Sequence, residues 1–115
     1  INLTSRGEAL RCFCYLADAT IGFLYLIVNG SSANAFNLAN PAAEISIHDL
    51  ALLISNLSDP PLRVVFDSKK VSQSNYLPSQ VPRSLPSIDK INSIGWSPTT
   101  SLKDGFSRTR SSYLS

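Results

Sequence analysis

A mixed α/β (α+β) fold is what this sequence predicts, and three observations predict it. Hydrophobic residues make up 43% of the 115 residues and charged residues 16%, a globular balance and not that of a disordered chain. Short β-rich runs, "LRCFCY" at 10–15 and "LRVVFD" at 62–67, are interleaved with runs of helical period such as "EISIHDLALLISNL" at 44–57. Turn-forming residues separate them, giving the order β-β-α-β-α-β-loop-α-α, in which strands and helices alternate. The length fits one domain or part of one, with room for a modest core.

Each element has a local reason. Ile1 and Leu3 lead into Ser5-Arg6-Gly7-Glu8, and 10–15 follows as a β-former run; a hairpin turning at Gly7 is expected. Asp18 precedes a helical stretch to about Val28, where its carboxylate would cap the first turn, and Asn29-Gly30 supplies a left-handed stop. Ile21, Leu24, Tyr25 and Val28 fall on one face, but Phe23, Leu26 and Ile27 cover the rest, so this helix should be sandwiched between layers. "NAFNLANP" at 34–41 reads as a buried strand closed by Asn40-Pro41.

Ser46-Ile47-His48-Asp49 matches a capping box, and Ile47, Leu50, Ala51, Ile54 and Leu57 form the core stripe of the helix that follows. Asp59-Pro60-Pro61 stops it. Residues 68–86 carry Pro78, Pro82 and Pro86 and read as a long loop. A short helix capped by Ser87 ends at Gly95, with Trp96 placed to touch Ile91. Ser101-Leu102-Lys103-Asp104 is a second capping box, opening a last helix with Leu102, Phe106, Thr109 and Tyr113 on one side.

Composition excludes several functions. The net charge of +2 is small and forms no basic stripe, so no nucleic-acid partner is expected. The most apolar run, 19–28, is about half of what a bilayer span needs, so no membrane association is expected either. No basic region followed by an apolar one opens the chain, and the protein is expected to be cytoplasmic; the Asn-x-Ser/Thr triplets at Asn2, Asn29 and Asn56 are read as chance. Cys12 and Cys14 are two apart, strained for a mutual bridge, and are read as reduced, part-buried thiols. One histidine and two cysteines make no zinc set. Gly7, Gly22, Gly30, Gly95 and Gly105 are scattered and form no phosphate loop. His48 and Asp49 are adjacent on a helix and should diverge, so His48 is read as a solvent-facing residue and no catalytic residue is assigned. Arg11, in a β-rich stretch, and Arg83, in the Pro-rich loop, remain as candidates to fork two N–H groups onto a phosphate or carboxylate.

The segment "GEALRCFCYLADA" at 7–19 resembles the G-x-x-x-R-x-F-x-Y-V-x-D-A segment of extended short-chain dehydrogenase/reductases acting on nucleotide sugars. "AFNLANPAAEISIHDLALLI" at 35–54 and "RSLPSIDKINSIGWSPTTSLKDGFSRT" at 83–109 are similar to that family's Y-N-[VL]-x-N-P block and its R-x-x-P-[SD]-I-x-K ending. The three blocks stand in family order and cover nearly the whole chain. The resemblance is to the C-terminal, substrate-binding part, so residues 1–115 would be one piece of a larger enzyme whose N-terminal NAD-binding Rossmann domain is absent. The Tyr-x-x-x-Lys pair is also missing: Ala19, Asn29 and Gln80 stand four after Tyr15, Tyr25 and Tyr76.

The resemblance implies roles. Arg11 would lie near the substrate diphosphate, and an arginine of the late loop would clamp it from the other side. Arg83 is the nearest match, but it stands three before Pro86 where several relatives have two, a place held here by Ser84. NAD, in the complete enzyme, would take a hydride from C4 of a nucleotide-diphosphate sugar and return it after epimerisation, dehydration or decarboxylation; this part would bind no cofactor and be inactive alone. "RCFCY" looks closer to the UDP-glucuronate decarboxylase-like branch than to the dTDP-glucose 4,6-dehydratase-like one. The helix near 18–28 and the strand "AFNLAN" would pack on the chain's own Rossmann domain, and the complete protein would be a homodimer. Without that neighbour the helix should expose an apolar face costing several kcal/mol, relieved by self-association. A non-catalytic binding or assembly module on the same fold is the rival reading, and a secreted glycoprotein module a second.

Overall fold

A computed structural model describes residues 1–66 and 81–114. The chain forms two compact units, Ile1–Arg11 with Ile45–Ser84, and Cys12–Glu44 with Leu85–Ser115.

In the first unit, β1 (Asn2–Leu3) pairs in parallel with β4 (Val65–Phe66), Asn2 opposite Val65. β2 (Leu10–Cys12), β3 (Glu44–Ser46) and β5 (Arg83–Ser84) form a second sheet in the order β3-β2-β5. The expected hairpin is therefore absent. Gly7 does turn the chain, with φ of 71°, but it turns it away from β1. Its carbonyl accepts from His48 N–H at 2.9 Å, and a Cβ there would stand 2.7 Å from that nitrogen, a close approach open to glycine alone.

α2 (Ile47–Asn56) is the best-read element. The Ser46 hydroxyl accepts from Asp49 N–H at 2.9 Å and donates to the Asp49 carboxylate at 2.7 Å. Leu50 and Ala51 are buried beneath it, Ile47, Ile54 and Leu57 half-buried. Ser55 is buried too and donates to the carbonyl of Leu62, tying the helix to the proline turn after it.

The second unit is built on α1 (Leu16–Asn29), the short α3 (Asp89–Asn92) and α4 (Leu102–Leu114). α1 starts three residues earlier than the sequence suggests, so Asp18 lies inside its first turn and does not cap it. Nor is Gly30 a left-handed stop: it is extended at φ −71°, its N–H donating to Leu26 O at 2.9 Å. The buried face is Asp18 and Gly22, with Ala19 and Leu26 half-buried beside them. Packing against the Trp96 indole, 2% exposed, requires the smallest side chain and not the greasiest. Leu16, Phe23, Leu24, Ile27 and Val28 are exposed, Ile27 by 79%. The helix expected to be sandwiched between layers is thus covered on one side, and most of its apolar residues face solvent.

Residues 34–40 are irregular and not a strand. Lys90 holds them, donating to Asn34 Oδ1 and Ala35 O, each at 2.9 Å, with its ammonium 4.7 Å from the Phe36 ring centre. Asn40 caps the 3-10 turn Pro41–Ala43 and donates to Thr100 O at 3.0 Å. Gly95 is the left-handed stop it was read to be, at φ 97°, and Ile91 and Trp96 are both buried. The Ser101 hydroxyl accepts from Asp104 N–H at 3.1 Å and opens α4. Only the first half of α4 is covered, by Phe13 edge-on to Phe106 at 5.8 Å; Tyr113 is 86% exposed.

Candidate functional site

Arg11 occupies the middle of β2, and its Nη1 donates to the carbonyl of Leu10 at 2.6 Å. Alternation along the strand puts Ala9 and Arg11 on one face and Leu10 on the other. The first face borders an open hollow of about 470 Å³ within the first unit, lined by Thr4, Ser5, Arg6, Glu8, Ala9 and Arg11 among others. Its size lies within the range of about 300–1,000 Å³ typical of ligand pockets. Among the described residues of that lining, two guanidinium groups stand against one carboxylate, a cationic balance.

Arg83 is not on the loop expected for it but on β5, which pairs with β2 in parallel. Leu10 stands opposite Arg83, and Arg11 opposite Ser84. Cross-strand partners share a face and their neighbours take the other, so Arg11 and Arg83 lie on adjacent strands yet point to opposite sides. Among the described residues the hollow's lining holds Arg6 and Arg11 and not Arg83. Sequence reasoning passed over Arg6; its signal was a cation placed directly before the turn glycine. Arg6 Nη1 reaches Glu8 Oε1 only at 4.0 Å, with the two side chains 87% and 79% exposed, a geometry worth at most about 1 kcal/mol. Residues 68–80 of the expected late loop, and Asp67 at the end of the expected strand before it, lie outside the described residues.

His48 and Asp49, expected to diverge, are joined: His48 Nδ1 and Asp49 Oδ1 are 2.9 Å apart, and the imidazole stacks on Phe66 at 5.1 Å. Hydrogen bonds from His48 and then Ser46 hold the Asp49 carboxyl below its usual range. The Ser46 hydroxyl is turned to Asp49, not to His48, so these three residues do not line up as nucleophile, base and orienting acid.

Asp18 is the residue whose role the sequence concealed. Burial by itself raises its pKa, but hydrogen bonds from the N–H and hydroxyl groups of Thr100 and Thr99 outweigh it and leave the carboxyl below the ordinary value. The signal was there: one acid in an otherwise apolar helix. Cys12 and Cys14 are half-buried and unbridged, and burial pushes both thiols up; Cys12 Sγ lies 3.0 Å from Asn40 O. A smaller hollow of about 140 Å³ in the second unit, lined by Phe13, Tyr15, Leu102 and Phe106 among others, has no charged side chain among its described lining residues. Among the described residues no group of three or more His, Cys, Asp or Glu could hold a metal ion, and no helix is long and apolar enough to cross a membrane.

No family model matches the chain. A GDP-L-fucose synthase of Sinorhizobium fredii is 29% identical over 115 residues, all of this chain and 34% of that protein. A UDP-D-apiose/UDP-D-xylose synthase of Oryza sativa is 30% identical over 115 residues, 90% of this chain and 28% of that one. The chain therefore spans about a third of the length of the curated relatives it matches. Among solved structures, the UDP-glucose 4-epimerase of Thermotoga maritima with UDP-glucose superposes at a TM-score of 0.79 with 18% identity, over all of this chain and 36% of that one. RMD of Pseudomonas aeruginosa with NADPH gives 0.79 and 18%, over 98% of this chain and 34% of the other. A dTDP-glucose 4,6-dehydratase of Bacillus anthracis solved with NAD also matches in fold, at 0.75. Three sequence blocks in family order, a shared fold over the full length and this set of relatives agree: the chain belongs to the extended short-chain dehydrogenase/reductase family of nucleotide-sugar epimerases and dehydratases, of whose members it represents a part.

Proposed function

We propose that this chain is the nucleotide-sugar-binding part of an NAD- or NADP-dependent epimerase/dehydratase, without catalytic activity of its own. The observation that carries the proposal is Arg11: it stands in the first of the three family blocks and borders a hollow large enough for a ligand, whose described lining is cationic. In this reading its guanidinium holds the substrate diphosphate through paired, charge-assisted hydrogen bonds, and the surrounding turn positions the rest of the ligand. The residues present do not fit a dinucleotide, since the sequence has neither a Gly-rich phosphate loop nor a Tyr-x-x-x-Lys pair, and no hydride step is assigned to them. That chemistry belongs to a Rossmann lobe of the complete enzyme, which covers the exposed face of α1 and works in the cytoplasm as a homodimer.

The substrate is a nucleoside-diphosphate sugar. The relatives' names bring GDP- and UDP-linked sugars forward, and the "RCFCY" segment favours a UDP-glucuronate decarboxylase-like reaction over a dTDP-glucose 4,6-dehydratase-like one. Calorimetric titration with GDP-, UDP- and dTDP-linked sugars, against the unlinked sugars as controls, tests the reading. Saturable binding of at least one nucleotide sugar is expected, and binding of none overturns it.

A further inference from the structure

Among the described residues the hollow beside β2 has two cations in its lining, and one of them was not among the candidates. We propose that Arg6, and not Arg83, is the second diphosphate-binding cation of this chain. The inference rests on the reading of this hollow as the diphosphate site and names the partner of Arg11 within it.

The register is the first argument. With Arg11 opposite Ser84 and Arg83 opposite Leu10, the two strand arginines are divided between the two faces of the sheet. The hollow agrees, since Ala9 and Arg11 line it and Leu10 does not. A second arginine on the Leu10 face cannot close a fork around an anion held on the Arg11 face.

The turn before β2 is the second argument. Gly7 is fixed by its left-handed backbone and by the approach of His48 N–H to its carbonyl, and Gly7 N–H is bonded to the Ser5 hydroxyl at 3.3 Å. The base from which Arg6 projects is thus set, while its side chain is almost wholly solvated. Its contact with Glu8 is long and exposed, so releasing it costs little. An anion with two phosphates offers each guanidinium its own pair of oxygens, and Glu8, in the same lining, then works against the ligand.

The test is calorimetric titration of the 115-residue chain with inorganic pyrophosphate and with UDP at low salt. Arg6→Ala and Arg11→Ala are each expected to weaken both ligands about 10- to 100-fold. Arg6→Lys should recover part of the loss, Glu8→Gln should tighten binding a few-fold, and Arg83→Ala should change it less than two-fold. Arg6 is so exposed that Arg6→Ala should leave the thermal melt unchanged, which separates binding from folding. If Arg11→Ala weakens binding and Arg6→Ala does not, the inference is overturned while the diphosphate reading stands. Should Arg83→Ala be the damaging partner, the late-strand arginine is restored to the role. If Arg6 and Arg11 are both silent, or pyrophosphate and UDP do not bind, the diphosphate reading falls together with the inference.

Discussion

The carboxylate of Asp18 accepts from both the N–H and the hydroxyl of Thr100, at 2.8 and 3.1 Å, and from the same two groups of Thr99, at 3.1 and 3.2 Å. One residue of α1 thereby fixes the backbone that leads into α4, 81 and 82 positions away, and Trp96 adds a second tie, its Nε1 donating to Asp18 O at 3.1 Å. Asp18→Ala leaves several part-buried donors without a partner and should cost on the order of 3 kcal/mol, read as a lowered urea midpoint with unchanged slope. A loss below about 0.5 kcal/mol would mean that water replaces the carboxylate.

Acid should reveal the same bonds. Asp18 is held below its unfolded value by the threonine donors once the cost of burial is overcome, and Asp49 by His48 and Ser46. A carboxyl depressed in the folded state contributes stability that is complete above the unfolded pKa of about 4 and lost as pH falls through the folded one. Unfolding free energy is therefore expected to be flat with respect to these two groups near pH 6 and to fall below about pH 4. Asp18→Asn should flatten that acid limb, and an acid limb identical to that of the parent chain would remove Asp18 as its cause.

Gly22 is where α1 meets Trp96. A Cβ there would stand 3.0 Å from the indole Cε2 and collide with Leu38 Cδ2. Helix propensity alone would reward Gly22→Ala by about 1 kcal/mol, while overpacking costs about 1–3 kcal/mol. Packing should win, and thermal melts of Gly22→Ala should show destabilisation; a higher melting temperature would show that Leu38 can yield.

Ile27 and Val28 are 79% and 78% exposed on a face with no charged residue. The 115-residue chain should self-associate through it as concentration rises, as sedimentation velocity would register. Ile27→Glu should abolish association while changing stability by no more than about 0.5 kcal/mol, the usual range for an exposed site. Association that survives this substitution would place the interface elsewhere.

Arg11→Ala in the complete enzyme should raise KM for the nucleotide sugar about 10- to 100-fold, the worth of one or two charge-assisted hydrogen bonds, with a smaller effect on kcat. Unchanged kinetics would remove Arg11 from the site.

Sequence alone determined whatever is decided within a few residues. The Ser46 and Ser101 caps, the Gly95 stop and the stripe under α2 all depend on neighbours three or four positions apart, and all are legible there. The family blocks were legible too. Tertiary structure decided what depends on distant partners. Whether Gly7 makes a hairpin or brings β2 beside β5 depends on His48 and on strand pairing, not on the turn itself. Which face of α1 is inside depends on Trp96, which selects Asp18 and Gly22 because a flat indole needs room and a buried carboxylate needs donors. On which side of the sheet Arg83 falls depends on one step of register, because side chains alternate along a strand and a shift of one residue exchanges the faces.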